Sequence, residues 1–301
     1  MITAFEKMSG YAFVAGMLAT GLAVVFYVLY ALSGLRAARM QTAGMQVTTG
    51  SLGFVSGPRT AAIGRYATML GWLAVGALLA SLIFRTVATG HGPFANMYEF
   101  SVAFGFGIIT AYMYFERKYH QRILALIALP VALAMMLYAW SIQGPVEPLV
   151  PALQNNLLLT VHVACAIVAY GSFAVAFAAS VLYLIQPAGG RWGLPKPEVL
   201  DEIGYRAVMI GFPFLTLTII LGAVWAETAW GTYWSWDPKE TASLVTWFIY
   251  GSYLHARVMR GWRGQRAAAL LVIGFAATLF TYFGNLIFGG LHSYAGLSSG
   301  N

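Results

Sequence analysis

Apolar residues dominate the chain in long unbroken runs, separated by shorter polar segments. The runs cover 11–32, 66–84, 97–115, 123–142, 157–185, 207–226, 238–259 and 267–288. None alternates polar and apolar positions as a half-buried strand would. Each is near the ~20 residues that a helix needs to cross a hydrocarbon core. Backbone groups in lipid have no water to bond, so such runs satisfy themselves as helices. The pattern predicts an all-α fold, a polytopic membrane bundle of eight transmembrane helices.

The spacers support one integral membrane domain over 1–301. Residues 33–65 are rich in Gly, Thr and Ser and predict a loop or surface helix. Residues 186–206 carry Pro and Gly turns and then a short polar helix. The pieces 85–96, 143–156, 227–237 and 289–301 form a small cap at the other end. The first run lacks a basic leader and a small-residue cleavage site, so it is expected to remain a span.

Composition agrees with the pattern. The chain is 59% hydrophobic and only 9% charged, against about 25% charged in soluble domains. Its net charge of +7 is unevenly placed. Arg36, Arg39, Arg59, Arg65, Arg117, Lys118, Arg122, Arg191, Lys196, Arg206, Arg257, Arg260, Arg263 and Arg266 flank one side, leaving Lys7, Arg85 and Lys239 on the other. The positive-inside rule puts the first group in the cytoplasm and both termini outside. The charge is thus a topology signal and implies no nucleic acid partner; the bilayer is the partner. The single cysteine, Cys165, excludes an internal disulfide or a dithiol redox pair.

Two outer segments carry helix-start signals. "NMYE" places Asn96 as N-cap and Glu99 at N3 of the third run. "DPKE" places Asp237 as N-cap, Pro238 at N1 and Glu240 at N3 of the seventh. Capping does not explain what precedes the second. "WGTYWSWDPKE" holds Trp230, Tyr233, Trp234 and Trp236 in seven residues. An interfacial aromatic belt is one reading. A shelf stacking on a flat ligand such as a porphyrin is the other.

The histidines bear on that choice. His162 lies about two turns inside the outer end of the fifth run, and His292 lies just past the outer end of the eighth. Two neutral imidazoles at the level of the tryptophans suit haem iron; each alone could equally be an interfacial histidine. His255 lies roughly 27 Å below the outer surface by helical rise. It is either an intramembrane functional group or an interfacial residue beside Arg257. His91 sits in the outer turn "GHGPFANMYEF", as a hydrogen-bond donor behind the site or a turn residue, and His120 in the charged turn "RKYHQR". Lys239 and Arg85 are outer cations, suited to haem propionates or to lipid anchoring.

"WGTYWSWDPKETASLVTWFIYGSYLHAR" resembles the tryptophan-rich WWD signature of the haem-handling protein family. Its DPKE ending and following YLHAR are similar to the cytochrome c assembly (CcsA/ResC) branch of System II. "GHGPFANMYEF", "LLLTVHVACAIVAYGSF" and "FGNLIFGGLHSYA" also resemble blocks of that family, so the likeness runs from about Phe84 to Tyr294. A haem-handling core of 66–294 with its WWD segment at 230–240 follows. The resemblance implies haem b as ligand and substrate, His162 and His292 as outer axial ligands, and His255 as a transmembrane ligand. It implies a CcsB/ResB-type membrane partner, apocytochrome c as substrate, and a place in the bacterial cytoplasmic membrane or its thylakoid equivalent. The WWD segment would face the periplasm. In a complex the activity would be holocytochrome c synthase, with thioether formation at a CxxCH segment and no nucleophile from this chain. The alternative is a CcmC-like exporter delivering haem to a chaperone. A quinone-linked haem oxidoreductase fits less well, because no pair of deep histidines on facing runs is visible.

Overall fold

The computed structural model describes residues 2–42, 58–144, 156–186, 194–284 and 287–292. Among them are eight α-helices and no strand: α1 (Ile2–Thr42), α2 (Pro58–Thr89), α3 (Met97–Tyr119), α4 (Ala125–Ser141), α5 (Asn156–Ile185), α6 (Pro197–Trp230), α7 (Pro238–Arg260) and α8 (Gln265–Phe283). Residues 43–57 and 145–155, within the 33–65 and 143–156 spacers, residues 187–193 and the tail after His292 lie outside the described residues.

Six helices are long and apolar enough to cross a membrane; α3 and α7 are not among them. Both have 23 residues, or roughly 34 Å at 1.5 Å per residue, so length is not what they lack. Several of their polar residues face protein instead. Glu99, Ser101 and Glu116 on α3, and Glu240, Thr246 and Arg257 on α7, are all buried.

Several helices outrun the apolar runs that predicted them. α1 extends ten residues beyond its run at the C-terminal side, and the polar helix expected before 207 is the first part of α6. Hydropathy reports where lipid would end, whereas the i→i−4 ladder continues into polar flanks until a cap or proline stops it. α8 is shorter than its run because it ends at Phe283, with Gly284 as cap.

α3, α4 and α5 occupy the middle. α1 pairs with α2 on one side, α5 pairs with α6, and α7 and α8 pack together with α8 against α5. Hydroxyl pairs join helices where lipid could not satisfy them. Ser9 Oγ donates to the Ser81 carbonyl and Ser81 Oγ to the Ser9 carbonyl, both at 2.9 Å. Thr246 and Thr281 lie 3.0 Å apart across α7 and α8.

Charged clamps hold both ends. At one end Arg85 of α2 bonds Glu99 of α3 at 2.8 Å. At the other, Arg257 of α7 reaches Asp201 of α6 at 2.6 Å and lies 4.8 Å over the Tyr205 ring. The Gly264 amide, just before α8, donates to the same Asp201 at 3.2 Å. One carboxylate therefore ties α6, α7 and α8. Losing one member of a buried pair costs on the order of 3–5 kcal/mol. Asp201→Ala is expected to lower stability by about that much, read by thermal unfolding in detergent. An unchanged midpoint would show that the clamp is dispensable.

Candidate functional site

α3, α5, α6, α7, α8 and the segments before α7 and after α8 enclose an open cavity of about 1110 Å³, its mouth included. His162 and His292 both line it, with Tyr233, Trp234, Lys239 and Glu240. Phe104 packs between two further wall residues, its ring 5.4 Å from Tyr170 and 5.1 Å from Tyr282. Tyr282 is held in turn by Ser101 at 2.7 Å.

α5 carries His162 against α6. Its Nδ1 lies 2.8 Å from the Thr218 carbonyl. A carbonyl only accepts, so Nδ1 carries the proton and Nε2 the lone pair. Gly222, one turn further along α6, makes room for the ring: a Cβ there would lie 2.8 Å from His162 Cε1.

His292 is set by Asp237. The Asp237 carboxylate accepts from the Lys239 amide at 2.9 Å, the Leu291 amide at 2.6 Å and His292 Nδ1 at 2.9 Å. This again leaves the lone pair on Nε2. Gly290 permits the approach, since a Cβ there would lie 2.3 Å from Asp237 Oδ2. Trp225 and Trp230 flank the imidazole at ring separations of 5.8 and 5.2 Å. The capping box of α7 is complete: Glu240 Oε2 accepts from the Asp237 amide at 3.2 Å and from the Ser235 amide at 2.8 Å. Asp237 is thus both a helix cap and the orienting partner of a histidine.

The tryptophans do not make one flat sheet. Trp225 and Trp230 meet edge to face, as do Trp234 and Trp236. Trp234 and Tyr233 reach the cavity, and Trp230 backs His292. Trp236 is exposed outside the lining and sits in the left-handed region, φ 59°. That conformation costs a bulky residue about 1–3 kcal/mol and turns the chain directly into the Asp237 cap.

The family described as Cytochrome C assembly protein matches residues 94–292, a segment that begins just before α3 and includes both histidines of the cavity. A cytochrome c biogenesis protein CcsA from Gloeobacter violaceus is 34% identical, over 78% of this chain and 87% of that protein. One from Porphyra purpurea is 32% identical, over 84% and 93%. The chain belongs to the cytochrome c assembly protein family. It is an integral membrane protein with a role in cytochrome c maturation. A solved structure, Cytochrome c Heme Lyase CcmF, shares its fold with a TM-score of 0.61 at 19% identity, covering 90% of this chain and 46% of that one.

Of the other candidates in this family member, Lys239 shares the cavity, and Arg85, His91 and His255 lie elsewhere. Arg85 is buried on Glu99 and over Tyr98, outside the lining. His91 is buried in the turn after α2, with Nδ1 2.8 Å from the Gly92 carbonyl. Lys239 lines the cavity with its ammonium 5.5 Å over the Phe100 ring. His255 is exposed on α7 and separate from the cavity, while Arg257 turns inward to its clamp. Sequence reasoning missed Thr218, Gly222 and Gly290. A backbone carbonyl leaves no residue-type signal, and a glycine shows its use only when its neighbour is known.

Burial alone would raise the Asp237 carboxyl. Hydrogen bonds from His292 and from the Lys239 and Leu291 amides outweigh it and hold the group down at about 2. Its stabilising contribution is complete above the ordinary carboxyl range and is lost only as pH falls toward about 2. Burial pushes the His292 imidazole below its ordinary value of 6.5, against the raising pull of the Asp237 hydrogen bond. Its neutral form is favoured by folding, so stability is complete above 6.5 and declines as pH falls below it. In ligand-free protein, NMR of 13C-labelled histidine is expected to give His292 a midpoint below 6.5, and a lower one in Asp237→Asn. A midpoint at or above 6.5 would contradict this environment.

Proposed function

We propose that the cavity is a haem site and that the chain is the haem-presenting subunit of a cytochrome c synthase. Haem b, as ligand and substrate, is held between His162 and His292 for thioether attachment to the CxxCH thiols of apocytochrome c. The observation that carries this reading is the pair of cavity-lining imidazoles, each with Nδ1 committed to its own acceptor. Metal-binding histidines are oriented in this way, by a carbonyl or a carboxylate on the other ring nitrogen. The remaining wall suits a large flat apolar ligand: Phe100, Phe104, Tyr170, Trp225 and Trp234 supply aromatic surface. Lys239 supplies a countercharge for a propionate.

The residues of this chain do the positioning. Cys165 is a lone buried cysteine, so both reacting thiols belong to apocytochrome c. Fixing the vinyl edge against docked thiols turns a bimolecular addition into an effectively unimolecular one. His162 and His292 would hold the iron through Nε2, and the Asp237 bond keeps His292 in the ligating tautomer.

His255 serves a different step. It is too far down α7, roughly 27 Å by helical rise, to share the iron of the cavity. It lies exposed with Phe248, Ser252 and Met259 along one face of α7. A CcsB/ResB-type partner on that face would contribute the opposing ligand for incoming haem.

Replacing His162 or His292 by Gly is expected to drain haem from the purified complex, with added imidazole restoring it. Asp237→Ala, which frees His292 from its orienting bond, should weaken haem binding by about 10–100-fold. Gly222→Ala should shift the haem spectrum by displacing the His162 ring. Haem per complex and the low-spin absorption bands report all four. A His292→Gly protein with unchanged haem and spectrum would remove that residue from the site.

The basic-residue asymmetry supports a periplasmic WWD segment. Tyr233 and Arg263 are exposed near opposite ends of α7. In a Cys165→Ala background, an impermeant thiol reagent on whole cells is expected to label Tyr233→Cys and spare Arg263→Cys. The reverse pattern would invert the orientation.

A further inference from the structure

A second cavity, about 510 Å³ with its mouth, lies between α2, α3 and the turn after α3, at the end of the bundle away from the tryptophan-rich segment. Its floor is Glu116, near the C-terminal end of α3. This buried carboxylate is met by three hydroxyl donors and one guanidinium. The hydroxyls of Tyr27 and Tyr112 reach Oε2, and Thr68 Oγ1 reaches Oε1 at 2.5 Å. Arg122 Nε lies 3.5 Å from the same Oε1 and donates to Thr68 at 3.1 Å. The Arg122 guanidinium also lies 5.6 Å over the Tyr30 ring. Glu116 therefore has its oxygens taken by protein groups and fixes Arg122 in the cavity wall.

The rim is different in kind. Arg117, His120 and Trp72 line it and all three are exposed. His120 closes α3 in the left-handed region, φ 55°, with its amide donating to the Glu116 carbonyl at 2.8 Å. Glycine takes that conformation without steric cost and is the usual residue there. An imidazole at this position bears a backbone penalty that brings a polar ring to the cavity mouth. Trp72 presents an indole at the rim, as interfacial tryptophans do at the headgroup level.

Two guanidiniums and an imidazole thus surround a cavity whose one carboxylate is already satisfied. Guanidinium forks match phosphate oxygens in shape and charge. Basic pockets between membrane helices take anionic headgroups. We propose that this cavity binds the phosphate of an anionic phospholipid. Arg117 and His120 grip the phosphate at the mouth, Arg122 faces it from the wall, and Trp72 packs on the glycerol and upper acyl chain. The site is independent of the haem reading and does not touch the haem cavity.

The test uses the full chain, delipidated in detergent. Phosphatidylglycerol, phosphatidylcholine or inorganic phosphate is titrated in, with native mass spectrometry and the thermal midpoint as readouts. Wild type is expected to retain phosphatidylglycerol in preference to phosphatidylcholine and to be stabilised by it. The double change Arg117→Gln with His120→Gly should weaken that retention about five- to tenfold. Its lipid-free midpoint should be unchanged or higher, because glycine suits the left-handed position. Arg117→Gln alone, at an exposed position, should give a smaller loss in the same direction and keeps the test decisive should the double variant misfold. Equal retention of the two lipids by wild type overturns the proposal, as does undiminished phosphatidylglycerol retention by the variants. Stabilisation by inorganic phosphate as strong as by the lipid would make this a free-anion site and equally overturn it.

Discussion

The Asp237 carboxylate is where the functional end of this protein is tied together. It caps α7 through the Lys239 amide, anchors the turn after α8 through the Leu291 amide, and orients His292 through Nδ1. Those groups come from segments more than fifty residues apart in the chain, and they meet because Gly290 has no side chain to keep them apart. Three accepted bonds stabilise the charged form against burial. Without that side chain α7 would lose its cap, the last turn its tether and His292 its orienting partner. The opposite imidazole depends on a similar device made from backbone, the Thr218 carbonyl beside Gly222.

Such an arrangement needs a stiff frame, and the frame is apolar helix packing braced by compensated charge. An unpaired charge inside a membrane bundle is costly. Here Arg85 meets Glu99, Arg257 meets Asp201, and Glu116 meets two tyrosines, a threonine and an arginine. Each cluster joins at least two helices. Together they hold α2 to α3, α6 to α7, and α1 to both α2 and α3, so that α5 and the segment after α8 bring their histidines to one cavity. The less apolar composition of α3 and α7 follows from this bracing, because these helices turn several polar residues toward protein.

Much of the architecture was legible along the chain. Long unbroken apolar runs allow only helices in a membrane, and all eight runs correspond to helices. The starts of α3 and α7 were legible to the residue, because Asn96 and Asp237 are short acceptors followed at N3 by a carboxylate. Ends were less so. α6 begins ten residues before its apolar run because its first turns are polar, and helical hydrogen bonding is indifferent to hydropathy. The tryptophan cluster signalled an unusual site, but its geometry was not legible. The rings meet edge to face, and Trp236 turns outward on a left-handed backbone.

By itself, then, the sequence determined the class of solvent, the helices, the two caps, and the family to which the chain belongs. These follow from local composition and short spacings, where each residue acts through its near neighbours. Only the tertiary structure decided which polar groups meet. It gave His162 the Thr218 carbonyl, gave His292 the carboxylate of a helix cap, withdrew Arg85 to Glu99, and left His255 on the outer face of α7. A histidine's tautomer and an arginine's availability depend on the group across the space from it. In these cases that group lies on another helix or a distant turn, brought there by packing that no local pattern encodes.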